Sequence, residues 1–422
     1  MIFNKFKVFV LFSTLVIYGV NATKSEKLTN INLVNVLMPA PFADSTSQLV
    51  KRFNRDNESN IKVVVTRGPM ETEAVSDLAI SNLMLGKSQY DALLIDITWL
   101  PKYAASNWLE PLNKYFNKDR WNSLTKGAKK GNTYKGEVYR WPFVADMGLL
   151  YWRKDLIKSP PRTPKELEYI SRKLIRDNAV KYGYVWQGRQ YEGLSCVFLE
   201  ILHGYGGSWI DSNGDVKLNT VNSVKAVTWL LNLIEEGISP KAVTNFAENE
   251  SLQVFKSGDA AFMRNWPYAW SELQKDDSKV RNKVGVTTMV SLKDKQSTAT
   301  LGSWGFSILK DSRNKENTFK VIEYLTSNMA QRELFIKYGY TPITKTLYEN
   351  KSLVKEYPIL NSLSEGLKIS KPRPKTPFYA QISDVLQRQL SSILTKELEP
   401  FEAMNQAQYQ TEKILRSTEI KK

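Results

Sequence analysis

Short apolar runs separated by amphipathic segments characterise the first part of the chain. Residues 33–38 and 61–66 are rich in branched apolar side chains and predict two β-strands. Residues 92–95 form a continuous apolar run, which is typical of a strand covered on both faces. Apolar positions at helical spacing lie between these runs, and one of the predicted helices ends at Gly86. This alternation of strands and helices predicts an α/β fold with a largely parallel sheet.

Several patterns predict where helices begin and end, and helical patterns become more frequent further along the chain. Ser45 and Gln48 have the spacing of a capping box and predict the start of the first helix. A later helix with one apolar face ends at Gly237, and another is predicted to be capped by Asn317. Residues 382–415 are again helical in pattern.

The length of the chain predicts two lobes. A chain of 422 residues exceeds what one hydrophobic core normally accommodates. The sequence shows neither an internal repeat nor a low-complexity linker, so the hinge is expected to consist of several crossing segments. We predict a first lobe from residues 28–144 with 300–342 and a second from residues 145–299 with 343–422.

The first residues have the layout of a secretory signal peptide. Residues 4–7 include two lysines, residues 8–20 are mainly apolar, and small or tolerated residues follow at positions 20–22. The apolar run is too short for a comfortable membrane span, which disfavours an uncleaved anchor. We predict a signal peptide over residues 1–22, a mature chain that begins near Thr23 and a periplasmic location.

Cysteine and histidine are almost absent. Cys196 is the only cysteine and His203 the only histidine. An intrachain disulfide is therefore excluded, and a metal site built from nitrogen and sulfur ligands is not expected. Cys196 is far from the predicted cleavage point, which favours a soluble protein over a lipoprotein, and His203 is expected to be a packed or helix-surface residue. No metal and no cofactor are predicted.

The chain carries a formal net charge of +16, from 59 basic and 43 acidic residues. Such a field attracts nucleic acid, anionic lipid or an acidic partner. The basic segments at residues 126–135 and 368–375 are interspersed with other residue types, and an exported protein rarely meets nucleic acid. We interpret the charge mainly as solvated surface and predict no nucleic-acid partner.

One segment concentrates flat aromatic side chains. Trp266, Tyr268 and Trp270 lie within five residues and are held by Pro267. A rigid indole face packs well on the C–H face of a sugar ring at low entropic cost. Burial in the core explains the same aromatics equally well, since large aromatic side chains are mostly buried.

Acids and indoles recur at strand ends. Asp96 ends one apolar run and is followed by Trp99, Asp146 ends another, and Trp304 stands between glycines. Ligands of open α/β sheets bind beyond the carboxyl ends of strands, and carboxylate oxygens accept hydrogen bonds from hydroxyl groups. Each residue alone also has a structural explanation: the aspartates could cap helices, and Trp304 could pack in the core. Together these residues favour a carbohydrate site.

The sequence resembles the extracellular solute-binding proteins of ABC importers, most closely their trehalose/maltose-binding branch. The resemblance implies two α/β lobes around a disaccharide-sized cleft that closes by a hinge motion. It also implies a monomer with a small carbohydrate ligand and a membrane permease as partners. The segments that carry it are collinear and span nearly all of the mature chain: DALLIDITWL (91–100), GLLYWRKDL (148–156), VWQGRQYEGL (185–194), NWPYAW (265–270), residues 301–305 and KPRP (371–374).

The same resemblance implies which residues contact the ligand, and departures from the family pattern affect which ligand is expected. Phe42 stands where a ligand-binding glutamate is expected, Val144 where a tyrosine is expected and Ser303 where a glycine is expected. Loss of a carboxylate and a phenol removes hydroxyl partners, which disfavours maltose and favours sucrose, trehalose or glucosylglycerol. The predicted ligand-binding positions are Phe42, Arg67, Asp96, Asp146, Tyr191, Glu192, Trp266, Ser303, Trp304 and Arg373.

Three rival functions fit parts of the sequence. A secreted glycoside hydrolase could use Asp96 and Asp146 as its acid and base. A binder of phosphorylated solutes such as glycerol phosphates, or an envelope protein that binds polyanions, would make use of the basic surface. The leading prediction is a solute-binding protein that catalyses nothing.

Overall fold

The computed structural model describes residues 31–86 and 88–416. The predicted signal peptide over residues 1–22 and the predicted mature start near Thr23 lie outside this part. Within it, no helix combines the length and the apolar character that crossing a membrane requires.

The strands and helices alternate along the chain. The strands are β1 (Asn32–Met38), β2 (Ile61–Arg67), β3 (Ala92–Asp96), β4 (Thr133–Tyr134), β5 (Glu137–Val138), β6 (Trp141–Val144), β7 (Leu149–Arg153), β8 (Tyr182–Val185), β9 (Ala260–Asn265), β10 (Val284–Thr287), β11 (Ala299–Thr300), β12 (Trp304–Ile308) and β13 (Ser370–Lys371). The helices are α1 (Ala40–Asp56), α2 (Thr72–Met84), α3 (Leu100–Ala105), α4 (Lys118–Ser123), α5 (Lys126–Lys129), α6 (Pro164–Arg176), α7 (Glu192–Gly204), α8 (Val221–Glu235), α9 (Glu248–Lys256), α10 (Ala269–Leu273), α11 (Lys315–Leu325), α12 (Asn328–Tyr338), α13 (Lys345–Glu349), α14 (Lys351–Glu356), α15 (Ile359–Ile369), α16 (Tyr379–Leu394) and α17 (Pro400–Arg416), with a 3-10 helix at Lys241–Asn245.

The first sheet has the strand order β2-β1-β3-β12-β6. Strands β1, β2 and β3 are parallel, and all five residues of β3 are buried, as the apolar patterns predicted. Strand β12 runs antiparallel to β3 and pairs Trp304 with Asp96. Because β12 enters the sheet in the opposite direction, its first residue lies at the edge where β3 ends. The acid and the indole therefore meet at one edge although 208 positions separate them in number.

The second sheet has the order β10-β7-β9-β8. Strands β8 and β9 are parallel, whereas β7 runs antiparallel to β9 and pairs Leu149 with Asn265. The aromatic segment that begins at Trp266 follows directly where β9 ends. Each sheet has its own packed helices, and α7, α8, α16 and α17 pack together on the second sheet's side.

Several chain segments cross side by side between the two sheets. The Gly148 N–H donates to the Thr300 carbonyl, and the Gly302 N–H donates to the Asp146 carbonyl. Strand β11 pairs in parallel with β13, which adds a third crossing segment. The expected connection through several segments is thus present, while the exact lobe boundaries remain a prediction.

Two of the predicted helix starts are wrong. Helix α1 begins at Ala40 after Pro39, and Ser45 lies inside it, where its hydroxyl donates to the Phe42 carbonyl. Prolines are well suited to the first helical turn, and a serine inside a helix bonds back to the preceding turn instead of capping. Helix α11 is preceded by Asn314, so Asn317 also lies within its helix. The helices before Gly86 and Gly237 are confirmed.

Candidate ligand-binding site

A cavity of about 810 Å³ opens between the two sheets and receives side chains from both. This volume lies within the range of about 300–1,000 Å³ that is typical of small-molecule sites. Of the ten predicted positions, eight line the cavity: Phe42, Asp96, Asp146, Tyr191, Glu192, Trp266, Trp304 and Arg373.

Arg67 and Ser303 are not brought to the cavity. Arg67 ends β2 and donates to both carboxylate oxygens of Asp44 at 2.8 and 3.0 Å on an exposed surface. Ser303 is fully buried, where its hydroxyl accepts a hydrogen bond from Arg140 and donates to the Val144 carbonyl. Both side chains are therefore engaged within the protein.

Aromatic rings form the wall on the side of the first sheet. The centroid of the Trp304 ring lies 5.2 Å from that of Phe42 and 5.4 Å from that of Trp99. Phe42 in turn packs against Tyr340 at 5.3 Å. Phe42, at the position where a glutamate was expected, thus extends an apolar wall instead of supplying an acceptor for a hydroxyl group.

Trp266 faces this wall from the second sheet and is held on several sides. Its indole N–H donates to Glu248 at 3.0 Å, and the Arg264 guanidinium lies 4.0 Å from its ring centroid. A Cβ atom on Gly302 would come within 2.7 Å of the ring, so this position requires glycine for the indole to pack against the backbone. The half-buried ring is thus oriented in advance of any ligand, which lowers the entropic cost of binding.

Beneath Trp266 lies a buried ion pair that the sequence patterns did not reveal. Arg264 donates to both carboxylate oxygens of Glu200 at 3.0 and 2.6 Å, and both side chains are 0% exposed. Gln187 accepts a third hydrogen bond from the same guanidinium. Arg264 therefore connects the interior of the second lobe to the aromatic platform at its surface.

Arg373 joins acids from both sides of the cavity. Its guanidinium donates to both oxygens of Asp96 at 2.8 and 3.1 Å and to Glu192 at 2.7 Å. Asp96 also accepts a hydrogen bond from the Thr98 hydroxyl at 2.7 Å. Glu192 accepts one from the Tyr379 hydroxyl at 2.5 Å. This charged network spans the cavity, because Asp96 ends β3 and Glu192 begins α7. These hydrogen bonds hold both carboxylates in a fixed orientation, as acceptors of ligand hydroxyl groups need to be.

Asp146 is buried without a cationic partner anywhere in residues 31–86 and 88–416. One of its oxygens accepts the Thr341 N–H at 3.0 Å. Burial raises the pKa of Asp146 to about 6 from the usual 3.8, although hydrogen bonds from Thr341 oppose the shift. The site thus contains a carboxylate whose charge is costly until another polar group reaches it.

Replacing Asp146 with asparagine is expected to stabilise the ligand-free protein at neutral pH. Because its folded pKa of about 6 lies above 3.8, the folded state holds more protons than the unfolded state between these values, and stability falls as the pH rises through that window. Asp146→Asn should therefore raise the free energy of unfolding by up to about 3 kcal/mol near pH 7.5 and leave little difference below about pH 4. Urea denaturation at both pH values measures the effect, and equal stability near pH 7.5 would contradict it.

The cavity also contains acids that no sequence motif indicated. Glu73 is one of them: partial enclosure by the cavity walls raises its pKa, and Glu192, Glu71 and Asp96 raise it further. The lining holds nine carboxylates against three cations. The carboxylates belong to Glu71, Glu73, Asp77, Asp96, Asp146, Glu192, Glu248, Glu250 and Asp384, and the cations to Lys102, Arg189 and Arg373. Most of the added residues belong to helices, where an exposed acid resembles any other solvated side chain.

The profile of the bacterial extracellular solute-binding proteins matches residues 39–332, which is more than half of the chain. The chain belongs to this family. The family resemblance read from the sequence is thereby confirmed. In the described part of this solute-binding protein, no three histidine, cysteine or acidic side chains are grouped so that they could hold a metal ion.

Individual proteins resemble this solute-binding protein over most of its length. A probable ABC transporter-binding protein of Deinococcus radiodurans is 31% identical over 83% of this chain and 86% of its own. The mannitol-binding protein of Pseudomonas aeruginosa is 23% identical over 83% and 84% of the two chains. The structure of maltose-bound MalE3 from T. maritima is 30% identical and superposes with a TM-score of 0.84, covering 90% of this chain and 99% of that one. This match confirms the predicted two-lobe α/β fold.

Proposed function

We propose that this solute-binding protein captures a neutral sugar or polyol in the cavity and delivers it to the membrane subunits of an ABC importer from the periplasm. Within this class we favour an α-glucoside or a disaccharide-sized compatible solute such as sucrose, trehalose or glucosylglycerol. The maltose complex of the MalE3 structure and the name of the mannitol-binding relative support a polyhydroxylated ligand.

The observation that carries the proposal is the combination of indole faces and carboxylates around one cavity. Trp266 and Trp304 offer apolar faces from opposite sides, and Asp96, Asp146 and Glu192 offer oxygens between them. Sugars and polyols present both an apolar C–H surface and hydroxyl donors, so one ligand can satisfy both kinds of group.

The charge of the lining disfavours a phosphorylated solute. Nine carboxylates against three cations give the cavity an excess of negative charge, although the whole chain carries +16. A phosphate group would be repelled by most of the lining, and two of the cations are already paired: Arg373 binds Asp96 and Glu192, and Arg189 lies 3.6 Å from Glu71.

The geometry also favours binding over hydrolysis. Both oxygens of Asp96 accept hydrogen bonds from the Arg373 guanidinium, so this carboxylate is already engaged within the protein. A glycoside hydrolase instead needs both of its catalytic carboxyl groups free to act on the glycosidic bond or on the attacking water. We therefore propose that the protein releases its ligand unchanged.

A thermal-shift screen tests this function. A ligand that binds the folded form alone stabilises it by about 2.7 kcal/mol at a concentration of 100 times Kd, so the matching sugar should raise Tm by several degrees. We expect a neutral disaccharide or glucoside to do so, and sugar phosphates and glycerol phosphates to leave Tm unchanged. A shift with the phosphates alone, or release of free glucose from the matching sugar, would overturn the proposal.

A further inference from the structure

A cluster of lysines lies beside the segments that connect the lobes. None of these lysines forms an ion pair with a carboxylate within the described ranges of the chain, although the same ranges contain many other lysine–carboxylate pairs. We call this cluster the lysine patch. Its members are Lys126 and Lys129 of α5, Lys130, Lys345 of α13 and Lys371 of β13.

Hydrogen bonds and packing hold the members of the lysine patch together. The ammonium groups of Lys129 and Lys345 both donate to oxygens of Asn122, at 3.3 and 2.7 Å. Lys130 donates to the Ser370 carbonyl at 2.5 Å, which places it next to β13. Helix α5 packs against α15, the helix that leads into β13. Residues remote in sequence thus form one basic surface.

The lysines are close enough to repel one another. Partial burial lowers the pKa of Lys129, and the charge of Lys345 lowers it further. The pKa of Lys130 is likewise lowered by partial burial and by the charge of Lys371. On α15, the helix packed against α5, Glu365 forms its ion pair with Lys368 at 2.6 Å and with no lysine of the patch. Such uncompensated positive charge favours the approach of anions.

The lysine patch is separate from the ligand cavity. None of its members lines the cavity, whose own excess charge is negative. Its positive charge is therefore placed where it cannot hold a solute between Trp266 and Trp304. We therefore expect the lysine patch to bind a partner other than the solute.

The residue type and the exposure indicate what kind of anion fits. Lys126, Lys345 and Lys371 are exposed ammonium groups on flexible stems. Lysine acts as a mobile point charge, whereas bidentate recognition of one phosphate favours the planar fork of arginine. A broad layer of phosphate groups suits such a surface, and each lysine near an anionic bilayer adds to the attraction. We propose that the lysine patch docks the protein on the anionic phospholipid surface of a membrane.

Vesicle co-sedimentation tests this inference on the full protein. The patch variant carries four substitutions: Lys126→Gln, Lys129→Gln, Lys345→Gln and Lys371→Gln. The control variant removes the same charge from exposed lysines that also have no ion pair among the described residues: Lys158→Gln, Lys165→Gln, Lys225→Gln and Lys241→Gln. Unchanged Tm values verify that both variants fold.

Wild-type protein should sediment with vesicles that contain phosphatidylglycerol and should dissociate as salt is added. The patch variant should lose at least about tenfold in its partition coefficient, and the control variant less than about threefold. Equal losses in the two variants would show that net charge alone is responsible and would overturn the proposal. Absence of sedimentation, equal binding to phosphatidylcholine vesicles, or release by low concentrations of inorganic phosphate would each overturn the proposal.

Discussion

Arg264→Met is expected to lower the free energy of unfolding by about 3–5 kcal/mol, because it leaves the Glu200 carboxylate fully buried without a cation. The remaining backbone donor is the Thr300 N–H at 3.3 Å, which cannot replace a guanidinium that binds both oxygens. The side chain of Trp266 also loses the cation packed against its ring. Urea denaturation monitored by circular dichroism measures the loss.

Two further variants separate the buried charge from other effects. Adding Glu200→Gln to Arg264→Met removes the stranded charge and should recover a substantial part of the stability, since neutral groups are much less costly to bury. Arg55→Met makes the same substitution at an exposed ion pair with Asp56 and should change stability by less than about 1 kcal/mol. If the double variant were as unstable as the single one, lost packing and not the charge would be the cause.

Trp266→Ala is expected to weaken binding of the matching sugar by about 1–3 kcal/mol, a roughly 5- to 150-fold increase in Kd. The substitution removes an aromatic platform that Glu248, Arg264 and the backbone of Gly302 hold in place. Isothermal titration calorimetry with the ligand found in the thermal-shift screen measures the change.

Trp270→Ala provides the matched control for this experiment. Trp270 belongs to the same aromatic segment and is also half-buried, but it does not line the cavity. It should retain the wild-type Kd even if it lowers Tm. Unchanged affinity in Trp266→Ala, or equal losses in both variants, would remove Trp266 from the proposed site.

The elements that could be predicted are those whose pattern repeats locally. The continuous apolar run before Asp96 could only be a buried segment, and its strand carried the acid to the sheet edge where Trp304 also lies. The aromatic segment at Trp266 was recognisable because three flat aromatic side chains lie within five residues. Local patterns thus predicted the α/β class and some of the acids and indoles of the cavity, whereas Phe42, Tyr191, Glu192 and Arg373 were expected from the family resemblance alone.

What could not be predicted depends on contacts between remote residues. Arg67 is of a residue type that often binds sugars, but Asp44 of α1 lies close enough to pair with it at the surface. Arg264 lies in β9, one residue before the strand ends, and Glu200 interrupts an apolar helix face, and neither position alone shows that the two charges neutralise each other. A single sequence contains no pattern that reports such pairing at a separation of 64 residues.

The contacts of Arg373 have a mechanical consequence. Its guanidinium holds Asp96 at the end of one sheet and Glu192 at the start of a helix on the other, so the two halves cannot move apart without separating charges that water scarcely reaches. An empty protein of this design would resist opening even before a solute arrives. Arg373 would then help to set the resting distance between the halves, together with the Arg189–Glu71 pair, and removal of its charge would favour a wider opening.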